Sequence, residues 1–401
     1  MRIRSRGALT LLAAVSLAVT ACNTPAASSA PSQVATTTSP TDEAEVTTAP
    51  TDAETSAAPT DAETSAAPGD DWPETGTLKD GSTFTLHERV ADKLAAGEPI
   101  NYVFSYGSTA IPLFSPQYAA GYERTLPEAQ AILPMNGQAV APSSAVQDIN
   151  EQIAQIDALF QADQIDCLSV QSTGTDAFSN IVNDIMATGI PVFTVGVESN
   201  GNEFTNFTQI SNNEGLQAAE IIVEYMNDND LDFKTFAVSG GDPTQNWAQG
   251  RMQGFIDGIM EAIPDATFVN DVSSALNVTY DPAAAYDAYS AFIQGNPEVQ
   301  VIQNVDISAE HAARAIADSG NTGEMFAFGW NVSIGQLDAI EAGTQIVALD
   351  QQWGDQAGFG ALGCAEFLAN GNILPNTNVL KPITTENVEE AREEFMSISG
   401  G

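Results

Sequence analysis

Between about residue 99 and residue 382 the chain alternates two hydrophobic periods. Short apolar runs closed by turn residues give way to longer stretches in which apolar residues recur at helical spacing. Asn101 to Ser105 (NYVFS) reads as a strand, and Gln147 to Phe160, with Ile149, Ile153, Ile156 and Leu159 on one face, reads as a helix. Strand 166–170 (DCLSV), helix 177–187 and strand 191–195 (PVFTV) continue the pattern, with Gly189 and Pro191 punctuating the join. A second run follows: helix 214–226, strand 235–238, helix 246–262, strand 267–269, helix 283–293, strand 299–302, helix 309–317, strand 325–328, helix 334–340, strand 345–349, helix 359–369 and strand 379–382. Repeated strand–helix units predict α/β architecture with parallel sheets covered by helices on both faces. There are too many units for one small sheet, and they divide naturally into two doubly wound domains.

The first 75 residues follow a different pattern. Residues 1–22 open on Arg2, Arg4 and Arg6, run through the apolar stretch Ala8 to Val19, and end in small residues before Cys22. This is the layout of an export signal. The run is shorter than the about 20 apolar residues a membrane-spanning helix needs. Residues 23–75 are rich in Thr, Ala, Ser, Pro and acid, and the unit PTDAETSAA occurs at 50–58 and again at 59–67. No core can form from such a composition, so the segment is expected to be a disordered tether reaching roughly 40 Å or more.

Charge narrows the chemistry. The chain carries Asp+Glu 53 against Lys+Arg 12, a formal net charge of −41, which becomes −44 once Arg2, Arg4 and Arg6 leave with the signal. Such a polyanion is not expected to bind nucleic acid, which recruits Lys and Arg to its phosphates. Two His and three Cys, scattered, build no metal site, and no cofactor motif is present. Gly240 and Gly241 lack the Lys and Ser/Thr of a phosphate loop. An acid excess spread over helix faces, as at Glu389, Glu390, Glu393 and Glu394, predicts a salt-requiring protein from a saline habitat.

Several longer stretches carry a family resemblance. IDCLSVQSTGTDAFSNIVNDIMATGIPVFTV (165–195), GGDPTQNWAQGRMQGF (240–255), NVDISAEHAARAI (304–316) and ALDQQWGDQAG (348–358) resemble the periplasmic-binding-protein superfamily, and within it the sugar-binding, ribose- and galactose-binding type subunits of ABC importers. The resemblance runs from about Pro99 to Pro382. It implies a type I periplasmic-binding fold, with two doubly wound parallel-sheet domains joined by a three-strand hinge and a ligand cleft between them. On that basis 99–210 plus 351–380 form the first domain, 211–350 the second and 381–401 a C-terminal segment, with hinge crossings near Gln209 to Ser211, Gly329 to Trp330 and Asp350 to Gln352. LAVTAC (17–22) resembles a bacterial lipobox, which implies a lipid anchor at Cys22 and a cell-membrane lipoprotein facing outside the cytoplasm.

The resemblance also implies ligand contacts at Tyr106, Phe114, Glu198, Asn246, Trp247, Arg251, Asp306, Asn331 and Gln352. These residue types suit a small neutral sugar or related polyol: amides and carboxylates match hydroxyl groups, and aromatic faces cover the C–H surface of a ring. Other roles stay open. Tyr106 could buttress its loop, Arg251 could pair with a local acid, and Trp330 and Trp353 could be either hinge core or ligand contacts. Cys167 and Cys364 both fall in the first domain, where an exported protein can bond them; burial inside an apolar strand favours inert free thiols. The implied function is non-enzymatic: a monomeric solute-binding protein that closes on its ligand and delivers it to importer membrane subunits. A sensor of the same fold feeding a receptor is the alternative. A surface-tethered glycoside hydrolase would need paired carboxylates, and no GxSxG nucleophile motif occurs.

Overall fold

The computed structural model describes residues 78–399 apart from 112, 145, 378 and 379. The expected signal, the tether, Cys22 and the positions of Pro112 and Val379 lie outside the described residues. Helix α1 (Glu88–Ala96) precedes β1 (Ile100–Ser105), α2 (Ser115–Ile132), β2 (Met135–Val140), α3 (Ile149–Gln161), β3 (Cys167–Ser172), α4 (Ser179–Ala187), β4 (Val192–Gly196) and β5 (Asn206–Phe207). These strands form a five-stranded sheet in the order β2-β1-β3-β4-β5, and every pairing is parallel.

The second sheet has seven strands. It is built from α5 (Ser211–Asp228), β6 (Thr235–Gly240), α6 (Asn246–Ala262), β7 (Thr267–Phe268), β8 (Leu276–Asn277), α7 (Pro282–Gly295), β9 (Val301–Asn304), α8 (Ala309–Ser319), β10 (Phe326–Trp330), α9 (Ile334–Glu341) and β11 (Gln345–Asp350). The long helix α10 (Trp353–Asn370) follows, then β12 (Lys381–Ile383) and α11 (Val388–Ser399). The strand order is β12-β11-β10-β9-β6-β7, with β8 beside β6; β12 is antiparallel to its neighbour β11.

Burial explains why both sheets are doubly wound. All six residues of β3 and all four of β9 are buried, as parallel strands covered on both faces must be. In the second sheet, Phe236 and Val238 pack with Ala218, Ile222, Met252 and Phe255 of α5 and α6, whereas the intervening Ala237 packs with Tyr289, Ala312 and Ile316 of α7 and α8. That alternation is the pleat at work.

The chain passes between the sheets at 208–210, at 351–352 and between the end of α10 and the start of β12. The third crossing differs from the expected one: Gly329 and Trp330 end β10, inside the second sheet, and Trp330 is fully buried in that core. The actual third connection is the return from α10, whose residues Ala357, Ala361 and Phe367 pack in the first core, to β12 in the second sheet. Helix α11 then packs Val388 and Ala391 against Leu337 and Ile340 of α9, and its later turns reach α2.

A second correction concerns the cysteines. Cys167 and Cys364 form a disulfide, with Cα atoms 6.0 Å apart, instead of staying free thiols. Cys167 and Ser169 point from β3 toward α10, and Gly360 sits over Ser169, so the helix lies close enough to the strand for the bond to form.

Candidate functional site

A cavity of about 480 Å³ opens between the two sheets, at the C-terminal ends of their strands. That is where open α/β sheets gather ligands, and the volume falls in the range, roughly 300–1,000 Å³, of small-molecule sites. Its first wall comes from Phe114 and Tyr118 at the start of α2, from Gln171, Ser172 and Thr173 where β3 ends, from Gly196 ending β4, and from Trp353 opening α10. Trp353 stacks on Tyr118 at 6.2 Å and meets Phe114 edge-on at 5.6 Å, so three aromatic rings support one another on this side. The second wall holds Trp247 and Arg251 of α6, Tyr280 beyond β8, Asp306 and Ile307 beyond β9, and Asn331 beyond β10. Gln351 lies between, in a crossing segment.

Helix packing fixes the polar floor. α5 and α6 approach so closely that a Cβ on Gly215 would meet the Arg251 carbonyl and one on Gly254 would meet that of Asn212. This brings Glu214, in the first turn of α5, against Arg251 of α6. Arg251 Nε donates to Glu214 Oε2 at 2.7 Å and Nη2 to Oε1 at 3.1 Å, a bidentate pair, while Nη1 donates to the Val305 carbonyl at 2.9 Å. The guanidinium also lies 5.0 Å from the Trp247 ring centroid and 5.4 Å from that of Trp330. Burial pushes the Glu214 carboxyl upward, and Arg251 pulls it back down.

Asp306 is held just as firmly. Its Oδ2 accepts the Gly241 N–H at 2.6 Å and its Oδ1 accepts that of Ser308 at 2.9 Å. Burial raises this carboxyl above the usual range, and those two N–H groups oppose the shift. Asn331 adopts φ 68°, a left-handed conformation that Asn tolerates better than most side chains, with its N–H donating to the Leu349 carbonyl at 2.7 Å. Its Oδ1 is buried and accepts no hydrogen bond among the described residues. Buried acceptors are normally satisfied, so an orphan on a cavity wall marks a place for a donor from outside the protein.

Of the nine expected contacts, the cavity brings together Phe114, Trp247, Arg251, Asp306 and Asn331. Glu198 and Asn246 instead line a smaller recess of about 130 Å³ that shares Val197 and Trp247 with the cavity, and Glu198 accepts a hydrogen bond from Ser211. Tyr106 is a core residue: it stacks on Phe104 at 5.4 Å, beneath the loop it was expected to extend from. Gln352 points elsewhere, into a pocket with Gln117, Lys381 and Glu394, and its neighbour Gln351 faces the cavity. The cause is a sharp backbone turn: Gln352 has φ 54° and its N–H donates to Asp350 Oδ1 at 2.8 Å, which swings its side chain off the path. Trp353 is a wall residue and Trp330 is core, which resolves both open roles.

Sequence reasoning did not single out Tyr118, Gln147, Gln171 and Tyr280, which line the cavity, or Glu214, which holds Arg251 from behind. Gln171 stands in QSTGT, directly after a strand and inside a stretch that carried the resemblance, so its signal was available. Tyr280 follows a two-residue strand with no periodicity to reveal it.

The model for a family described as a periplasmic binding protein domain matches residues 103–371. The chain belongs to this family. It is accordingly a binding protein in place of an enzyme, and an extracytoplasmic one. Among solved structures, the sugar-binding protein of a sugar ABC transporter from Bacillus halodurans is 16% identical and superposes with a TM-score of 0.60, covering 72% of this chain and 99% of its own. An arabinose-binding protein from Geobacillus stearothermophilus is 16% identical with a TM-score of 0.59, covering 73% and 99%. An ABC transporter solute-binding protein from Agrobacterium vitis with bound D-fucose is 15% identical with a TM-score of 0.60, covering 73% and 98%. At these identities the likeness is one of fold. No curated protein matches the sequence. Among the described residues of this periplasmic binding protein, no helix is long and apolar enough to cross a membrane, and no three His, Cys, Asp or Glu side chains gather as a metal site.

Proposed function

We propose that the protein captures a small sugar in the cavity between its two sheets and delivers it to the membrane subunits of an ABC importer. The observation that carries this reading is the pairing of aromatic walls with preset, partly unsatisfied polar groups. Phe114, Trp353, Trp247 and Tyr280 offer ring faces, while Asn331 Oδ1, the Asp306 carboxylate and Arg251 offer hydrogen bonds. A sugar has an apolar C–H surface and a rim of hydroxyls, and such a site answers both. The D-fucose bound in one structurally similar protein, and the sugar and arabinose binding of two others, support the same class. Of the nine residues expected to touch the ligand, we retain Phe114, Trp247, Arg251, Asp306 and Asn331, and add Gln351 and Trp353.

Each sheet with its helices acts in this proposal as one domain, and the three connections act as the hinge. Ligand bridging Arg251 and Asn331 on one wall to Phe114 and Gln171 on the other favours the closed form, which the importer recognises. Cys22 carries the lipid anchor, residues 23–75 hold the monomeric body off the membrane, and the acidic surface suits a saline medium. A thermal-shift screen over pentoses, hexoses, polyols and nucleosides tests the reading. A pentose or hexose should raise the melting temperature in a concentration-dependent way, and a response confined to nucleosides would overturn it.

A further inference from the structure

Arg251 is the sole cationic side chain on the cavity wall among the described residues, and its charge is already answered. Glu214 sits behind it, 2% exposed, and takes the Nε–H and one Nη2–H, while the Val305 carbonyl takes one Nη1–H. One N–H on each terminal nitrogen is left uncommitted among the described residues. Trp247 and Trp330 close over the guanidinium, so it can neither swing nor be hydrated freely. The other charged wall residue is Asp306. With both carboxylates ionised, Arg251, Glu214 and Asp306 together leave the buried floor with one excess negative charge.

Resting on the sugar-binding reading above, we propose that Glu214 is the selectivity residue of this cavity. By pinning the plane of Arg251 and cancelling its charge, it lets the guanidinium donate to hydroxyls while denying an unmatched cation to acids. The ligand class is then an uncharged aldose, and uronates of the same ring stereochemistry are excluded. Glu214 is a positioning residue, since it does not line the cavity itself. Burying a carboxylate beside an already neutralised pair and next to Asp306 leaves it without compensation, which is how charge arrangement produces discrimination.

The test is calorimetry on the full chain at pH 7.5 with matched probes: D-galactose, L-arabinose and D-fucose against D-galacturonate, and D-glucose and D-xylose against D-glucuronate. The wild type should prefer the neutral member of its best pair by about thirtyfold or more, and Glu214→Gln should weaken the neutral sugar and lower that ratio by about tenfold or more. Glu214→Asp, which keeps the charge but shortens the reach, should weaken the neutral sugar and leave the ratio in place. Should Glu214→Gln not fold, the double variant Glu214→Gln with Arg251→Gln buries no unpaired charge; it should bind the neutral sugar weakly and still reject the uronate. Equal binding of both members by the wild type overturns the inference, as does an unchanged ratio in Glu214→Gln or uronate binding by the double variant. If the wild type binds none of these sugars or uronates and no pentose or hexose in the thermal-shift screen, the sugar reading fails and the inference falls with it, an outcome distinct from sugar binding without selectivity.

Discussion

Cys167 of β3 and Cys364 of α10 are bonded across a sequence separation of 197 residues, so one covalent link spans the second lobe from α5 to β11, with only β12 and α11 beyond it. Everything from α5 to β11 is inserted between them. The bond holds α10 on the first sheet regardless of what the inserted lobe does, and it closes a very long loop of the unfolded chain. Loop-closure entropy puts the stabilisation on the order of 3–5 kcal/mol. The Cys167→Ala, Cys364→Ala pair should unfold at markedly lower guanidinium concentration, and the wild type under reductant should follow it once the bond is cut. Coincident midpoints for oxidised wild type and double variant would show that α10 holds its place by packing alone.

Much of this architecture is legible in the residue pattern, and the parts that are not have particular causes. Helix α6 is bounded at Asn246 and Ala262 as its periodicity predicts. Helix α2 lies outside the predicted elements and carries two prolines: Pro116 sits at the helix start, where its missing N–H costs nothing, and Pro127 is carried inside the helix by packing on α10. Strand β2 shows no apolar alternation because it is an edge strand whose four central residues are exposed. Glu214 carries no local motif at all: its contact with Arg251 arises only where glycines let α5 and α6 touch.

The register at the second crossing separates two adjacent glutamines. Gln351 is 5% exposed and faces the cavity, with its carbonyl accepting from Gln209 Nε2 at 3.3 Å and Gln356 Nε2 at 2.8 Å. Gln351→Ala should weaken sugar binding roughly tenfold or more, about 1.4 kcal/mol, the scale of one lost buried hydrogen bond. Gln352→Asn keeps a side chain that tolerates the left-handed backbone and should leave affinity within about twofold. Asn331→Gly preserves the φ 68° backbone while deleting the orphan acceptor, and its loss should match that of Gln351→Ala. Titration calorimetry with the sugar found in the screen decides all three, and a larger effect at Gln352 than at Gln351 would reverse this assignment.

Asp350 ends β11 at the hinge, and burial pushes its carboxyl up to about 6 from an ordinary 3.8. Glu394 of α11 and Asp355 of α10 add to the rise, Lys381 of β12 and the Gln352 N–H oppose it, and Arg124 of α2 faces the same pocket. Because the folded value exceeds the unfolded one, the folded state holds its proton longer. Stability is therefore fully present below about pH 4 and is lost as pH rises through about 6. Asp350→Asn removes the buried charge while keeping an acceptor for Gln352, and should stabilise the protein at pH 7.5 by on the order of 1–2 kcal/mol, discounted for partial access of water. The gain should shrink to about half at pH 5 in urea titrations. A gain equal at both values, or a loss at pH 7.5, would show that the carboxylate is paired in its charged form.

Salt should act on the whole body at once. Acidic residues far outnumber basic ones along the folded body, with Glu389, Glu390, Glu393 and Glu394 all exposed on α11 and Arg392 already bound to Asp338 and Glu341 at 2.9 and 3.0 Å. So few cations leave most carboxylates facing one another, and their repulsion opposes the compact state. Raising ionic strength from about 0.1 M to about 1 M shortens the screening length from roughly 10 Å to roughly 3 Å, inside the spacing of neighbouring surface charges. The melting temperature should rise by several degrees across that interval, whereas sugar affinity, set in a desolvated cavity for an uncharged ligand, should change by less than about twofold. Scanning calorimetry in sodium chloride with parallel titrations separates the two effects. A melting temperature indifferent to salt would mean that the acidic surface is not what limits stability.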